Sequence, residues 1–161
     1  MFMNASMVIA VCAAVIAGAS LGVSVYEARA MRMHNRRSVQ PSLVLWGKLS
    51  TGATSGIGLT NAGLGPAKIT DSKLILDGEY LGDLSTSTAD KLRDRLALPV
   101  ATTTLSDRSF LEAGFREFLL SVDSYDEAQH RKLREWIESR LRIVIRYESI
   151  YGGEELEAKY N

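Results

Sequence analysis

Arg140-Leu141-Arg142-Ile143-Val144-Ile145-Arg146-Tyr147-Glu148-Ser149 alternates apolar and polar side chains along its length. Successive side chains of a strand point to opposite faces. Leu141, Ile143, Ile145 and Tyr147 therefore line one face, and Arg140, Arg142, Val144, Arg146 and Glu148 the other. That is the pattern of a half-buried antiparallel strand, and it sets the fold class as mainly β. Downstream, Gly152-Gly153 marks a turn, and Leu156, Ala158 and Tyr160 alternate as a last strand. Upstream, Ser124-Tyr125-Asp126-Glu127 reads as an N-cap with acids in the first turn. Ala128, Leu133, Trp136, Ile137 and Leu141 keep helical spacing, which predicts a helix with a solvated charged face carrying His130.

Working further back, Phe110 to Val122 fits two strands around Ala113-Gly114 or one helix followed by a strand, the two strands being favoured, and Val100 to Leu105 has the Thr-rich composition of another strand. Ser87-Thr88-Ala89-Asp90 resembles a capping box with Asp in place of Glu. It opens a short amphipathic helix through Leu92 and Leu96 that ends before Pro99. Ala67 to Leu76 runs as a strand into Asp77-Gly78, a strong turn signal. Before it come a short strand with Ile57 and Leu59 ending at Asn61, and a tight turn whose structural residues are Gly63, Gly65 and Pro66. The first strand falls within Ser38 to Lys48, where Pro41 near its start needs no ladder partner. About seven strands with two inserted helices predict an immunoglobulin-like antiparallel β-sandwich over residues 39–161.

The remaining residues have a different composition. All 19 Lys and Arg and all 19 Asp and Glu lie after Tyr26, the first being Glu27. Met7 to Val25 is an uncharged apolar run whose helix spans roughly 28 Å, about one hydrocarbon core. Residues 1–26 thus read as a transmembrane helix and residues 27–38 as a basic juxtamembrane linker. Within the helix, Gly18 and Gly22 form a GxxxG pair, so a homodimer packed through this helix is one expectation. Cys12 sits inside the apolar run without the small residue that precedes a lipidated cysteine, and reads as a buried lipid-facing or helix-facing thiol. Ala28-Arg29-Ala30 formally resembles a signal-peptidase site. Against cleavage stand the lack of an Arg or Lys before the apolar run, the length of that run, and the charges crowding the site.

Arg29, Arg32, Arg36 and Arg37 follow the apolar run, while its other flank carries no charge. The positive-inside rule then predicts a single-pass protein of the inner membrane with its soluble domain in the cytoplasm. The same arginines suit contact with lipid headgroups. A formal net charge of zero gives no reason to expect nucleic-acid binding, and one cysteine with two histidines leaves most metal sites without ligands.

Thr51-Gly52-Ala53-Thr54-Ser55-Gly56-Ile57-Gly58 matches the phosphate loop of short-chain dehydrogenases, and Asn61-Ala62-Gly63 echoes a second motif of that family. Such a loop needs a helix straight after it to meet the pyrophosphate. Here Leu-Thr-Asn-Ala-Gly-Leu-Gly-Pro follows, and no Tyr has Lys four residues later. No cofactor is therefore expected, and the glycines read as a mobile loop followed by a turn. Asp71, Asp77, Glu79 and Asp83 gather around a turn and read as turn chemistry rather than a cation site. No catalytic constellation emerges, and His34 and His130 read as solvent-facing.

His34-Asn35-Arg36-Arg37-Ser38-Val39-Gln40-Pro41 after a transmembrane helix, Leu59 to Ile69 with its Asn-Ala-Gly-Leu-Gly-Pro-Ala core, and Tyr147 to Gly152 together resemble a broad group of small bacterial membrane-anchored proteins. In that group an "HNR-SV-P" junction leads into a strand and an "N-G-GPA-I" stretch joins two strands of a sandwich. The resemblance implies architecture and no particular activity. The expected role is a membrane-anchored protein-interaction or scaffolding module with a protein partner. The alternatives are an extracytoplasmic envelope-assembly domain on a signal anchor, or a small ligand-binding or enzymatic domain using the Gly-rich loop.

Overall fold

The computed structural model describes residues 4–105 and 110–161, with only the backbone of residues 34–38. It divides into two compact units, Met1–Ser38 and Val39–Asn161. The first is one helix, α1 (Ala5–Ser38), about 51 Å long at 1.5 Å per residue. Its stretch Ala5–Met33 is long and apolar enough to cross a membrane. Glu27–Ser38, expected as a linker, is helical. Ala28, Ala30, Met31 and Arg32 are good helix formers, so propensity carries the helix past the point where hydropathy stops.

The second unit is a β-sandwich of nine strands among the described residues. One sheet has the order β1 (Leu43–Lys48), β2 (Ser55–Asn61), β7 (Arg116–Val122), β5 (Ala101–Thr102). The other has the order β4 (Glu79–Gly82), β3 (Ala67–Leu76), β8 (Leu141–Ser149), β9 (Leu156–Tyr160). β6 (Phe110–Leu111) pairs with the start of β3. All pairings are antiparallel. The chain changes sheet between β2 and β3, between β4 and β5, on either side of β6, and between β7 and β8. The strand that the sequence reading did not assign is β4, four residues beyond the Asp77-Gly78 turn and too short to carry an alternation signal; β5 and β6 lie within the stretches read as strands, Val100 to Leu105 and Phe110 to Val122, but are only two residues each.

β8 buries Leu141, Ile143, Ile145 and Tyr147 on one face, as its alternation demands. Opposite them, β2 and β7 contribute Ile57, Leu59, Leu119, Leu120 and Val122 to the same core. A β-bulge between Ile57 and Gly58 lets β7 turn Leu119 and Leu120, neighbours in sequence, both inward. Each such fully buried aliphatic side chain contributes about 1.5–3 kcal/mol. Asp77 and Gly78, both at positive φ, make the two-residue turn from β3 to β4.

Between β4 and β5 lies α2 (Thr86–Leu96), which buries Leu92 and Leu96. Its N-cap is Ser85, two residues ahead of the capping box read at Ser87, and Ser85 makes no side-chain cap bond. Its hydroxyl instead lies 3.2 Å from that of Ser87 and 3.3 Å from that of Thr88. The long helix expected from Ser124 is shorter: α3 (Arg131–Glu135) winds into a π-helical turn, Trp136–Arg140. Ser124 has φ +37° and Tyr125 is buried, so the chain turns inward where a helix would have begun. The Asp126 carboxylate caps the amides of Ala128 and Gln129, and Ala128 is exposed rather than in the core.

Candidate functional site

The antiparallel registers fix which loops share an end of the sandwich. Leu43 opposes Asn61, Ala67 opposes both Leu111 and Ser149, and Thr60 opposes Arg116. The chain's entry at Val39–Ser42, the β2–β3 turn, β6 with the turn after it, and the β8–β9 loop therefore sit together. At this entry end the expected turn residues lie against the first residues of the domain. A Cβ on Gly65 would fall 1.8 Å from the Val39 carbonyl oxygen, and one on Gly63 2.4 Å from that of Gln40. Only glycine admits so close a backbone approach. Pro66 is half-buried and leads into β3.

Asn61, fully buried, joins these segments. Its Oδ1 accepts from the amides of Ser42 and Gly63, both at 3.1 Å. Its Nδ2 donates to the carbonyls of Gly65 (2.8 Å), Glu112 (3.1 Å) and Leu111 (3.2 Å). Its backbone amide donates to Phe115 and its carbonyl accepts from Gly114. One side chain thereby satisfies the polar groups of three loops that no ladder reaches. Sequence reasoning placed a strand end at Asn61 without giving it this role. The available signal was an Asx residue two places before a turn glycine. Beside it the Tyr147 hydroxyl accepts from the Leu43 amide at 3.1 Å.

Outward from this buried network the entry end is apolar. Leu64 is 75% exposed, Phe110 56%, Tyr151 49% and Ile150 43%. Nearby, on the first sheet, Trp46 packs edge-on against Phe118 at 4.9 Å, lies under the Arg116 guanidinium, and donates from Nε1 to the Thr60 hydroxyl at 2.8 Å.

The Gly-rich stretch is not a free loop. Gly56 and Gly58 are buried residues of β2, with a Cβ on Gly56 falling 1.9 Å from the Leu120 carbonyl oxygen. Gly58 lies inside a strand rather than ahead of a helix, so no helix N-terminus stands where a phosphate loop would need one. The preceding turn is tied to Tyr125 through both backbone groups of that residue. Three of the four acids read around the β3–β4 turn stand in separate ion pairs. Asp77 takes a two-point contact from Arg140, Glu79 one from Arg95, and Asp71 meets Lys73. Arg140 holds the Asp77 carboxyl below the usual carboxylate range, and Arg95 does the same for Glu79. Among the described residues no cluster of His, Cys, Asp and Glu is arranged to hold a metal.

His130 is half-buried rather than solvent-facing. Its ring stacks on Tyr125 at 5.6 Å, and Nδ1 accepts from the Asp126 amide at 2.9 Å. The side chain of His34 lies outside the described residues. Between α2 and the sheets, an apolar space lined by Leu74, Thr88, Leu92, Leu119, Leu120 and Ile143 has room for one water-sized sphere, about 20 Å³. That is far below the few hundred Å³ of a small-molecule site.

On α1, Gly18 and Gly22 have nothing within 4 Å of where a side chain would stand. Arg29 and Arg32 are exposed, and the side chains of Arg36 and Arg37 lie outside the described residues. Cys12 is a free, exposed thiol. No family model matches the chain, and no curated protein matches it.

Proposed function

We propose that this is a single-pass protein of a bacterial inner membrane whose β-sandwich serves on the cytoplasmic side as a protein-interaction or scaffolding module. The observation that carries the reading is an apolar helix whose described side chains are all exposed. Lipid is the medium in which such an apolar surface is stable. Arg29, Arg32, Arg36 and Arg37 support the orientation, and the HNR-SV-P and GPA resemblances agree with it.

The strand orders support the immunoglobulin-like reading. β1-β2-β7-β5 corresponds to A-B-E-D and β4-β3-β8-β9 to C′-C-F-G, although β2 and β8 carry no cysteine and β3 no tryptophan. A sandwich with an apolar entry end is suited to surface contacts. The open Gly18–Gly22 face suits packing against a second copy of α1.

A second reading, a domain carried outside the cytoplasm by the same helix, is favoured by Ala28-Arg29-Ala30 at the end of the apolar run. One experiment tests both: protease access to a C-terminal tag in intact spheroplasts, with alkaline carbonate extraction of the membranes. Protection at full length and resistance to carbonate are expected. Digestion in intact cells, or a chain shortened near Ala30, would transfer the domain to the outer side of the membrane. Extraction by carbonate would remove the anchor.

A further inference from the structure

The large apolar side chains left exposed on the sandwich are unevenly distributed. Among the described residues they are Val44, Leu64, Tyr80, Phe110, Ile150 and Tyr151, and four of the six (Leu64, Phe110, Ile150 and Tyr151) belong to the loops and short strand of the entry end. Phe110 opposes Lys68, which in turn opposes Glu148, two residues before Ile150. The start of β3 thus gathers Phe110 and the β8–β9 loop, while Leu64 tops the adjoining turn. This is also the end at which Val39 begins the domain, with Gly65 packed against it.

We propose that the entry end docks on the bilayer surface, seating Leu64, Phe110, Ile150 and Tyr151 at headgroup level. The inference rests on the membrane-anchored reading and adds a second contact to it. Only residues 27–38 separate the apolar run from Val39, and as helix they measure about 18 Å. A helical segment so short keeps the entry end within that distance of the apolar run, so the bilayer surface is always within reach. A contact too weak to recruit a free protein is then populated. Amphipathic aromatic rings such as Tyr151 favour the interfacial layer, and Leu, Ile and Phe favour its inner boundary.

The exposed carboxylates Glu112, Glu154 and Glu155 flank the patch, and Glu148 is paired with Lys68 at 2.9 Å. They keep the contact shallow. The four arginines in the preceding segment carry the opposite charge and offset the repulsion of these acids by anionic lipid.

The test uses the full chain with Cys12→Ser, reconstituted in phosphatidylcholine vesicles. Single cysteines are introduced as Leu64→Cys, Ile150→Cys or, at the opposite end, Ser50→Cys, and each is labelled with an environment-sensitive fluorophore. Lipids spin-labelled near the headgroup are added as quencher. Probes at positions 64 and 150 are expected to shift to the blue and lose at least half their emission, while the probe at position 50 keeps its emission. Equal, water-like behaviour at all three positions in carbonate-resistant vesicles would overturn the docking and leave the anchor standing. Release of the chain by carbonate would overturn the anchor and the docking with it. A shift at 64 and 150 that disappears on dilution below one chain per vesicle would assign the patch to a second copy, which also overturns the proposal.

Discussion

The two ends of the sandwich are built on opposite plans. At the entry end the buried polar groups are paired through Asn61 and Tyr147, and four large apolar side chains, Leu64, Phe110, Ile150 and Tyr151, stand exposed among flanking carboxylates. At the far end the exposed side chains are ion-paired: Asp77 with Arg140, Glu79 with Arg95, and Arg134 with Glu127 and Glu138. Beneath them lie the two buried side-chain polar atoms without a partner among the described residues, the Tyr125 hydroxyl and Trp136 Nε1. The contrast teaches where specificity resides. A hydrogen-bonded hub holds three loops in one arrangement at the entry end, whereas exposed ion pairs at the far end are screened by solvent and hold little in place.

Asn61→Leu breaks the comparison most severely. It removes both acceptor and donor roles and leaves the Ser42 and Gly63 amides and three carbonyls without their partner. A loss of about 3–5 kcal/mol is expected by denaturant titration in detergent. Asn61→Asp restores the acceptor alone and buries a charge, so it should recover little. Gly65→Ala is next, because its Cβ meets the Val39 carbonyl oxygen; a loss of about 1–3 kcal/mol is expected in the same titration.

At the far end the sign reverses. Tyr125→Phe deletes a buried hydroxyl that has no partner among the described residues, so stability should hold or rise by about 0.5–1 kcal/mol. A loss of 2 kcal/mol or more would mean that the hydroxyl is bonded and the contrast between the ends is false.

The smallest effect is on pH dependence. The folded-state carboxyls of Asp77 and Glu79 lie below their ordinary values because Arg140 and Arg95 hydrogen-bond them. A depressed folded pKa stabilises above the unfolded pKa and is lost as pH falls through the folded one. The melting temperature should therefore drop below about pH 4, and Asp77→Asn should flatten that drop slightly. Both acids are fully exposed to solvent screening, so the change is expected to be barely resolved.

Much of the fold was legible along the chain. β8 was readable because one face is buried and the other wet, which imprints a period of two on its composition. The β3–β4 turn was readable because Asp-Gly accommodates two positive φ angles locally. The apolar helix was readable because the run Met7 to Val25 is uncharged and long enough to cross a bilayer, a property of composition alone. What failed did so for non-local reasons. Ser124 to Leu141 has helical spacing, but burial of Tyr125 under the glycine turn overrides it. Gly52 to Gly58 copies a phosphate loop, but two of those glycines serve a strand pressed against the Leu120 backbone.

The amino-acid sequence by itself determined the apolar helix, the mainly β character and most strand positions, because hydropathy period and turn chemistry act over a few neighbouring residues. Tertiary structure alone decided the entry end. Asn61, Gly65, Phe110 and Ile150 are up to 89 positions apart in the chain, and only the antiparallel registers of β1, β2, β3 and β8 bring them to one side of the molecule. A hydrogen-bond hub and an exposed apolar patch are properties of that juxtaposition, since neither a donor's partner nor a side chain's exposure is written in its immediate neighbours.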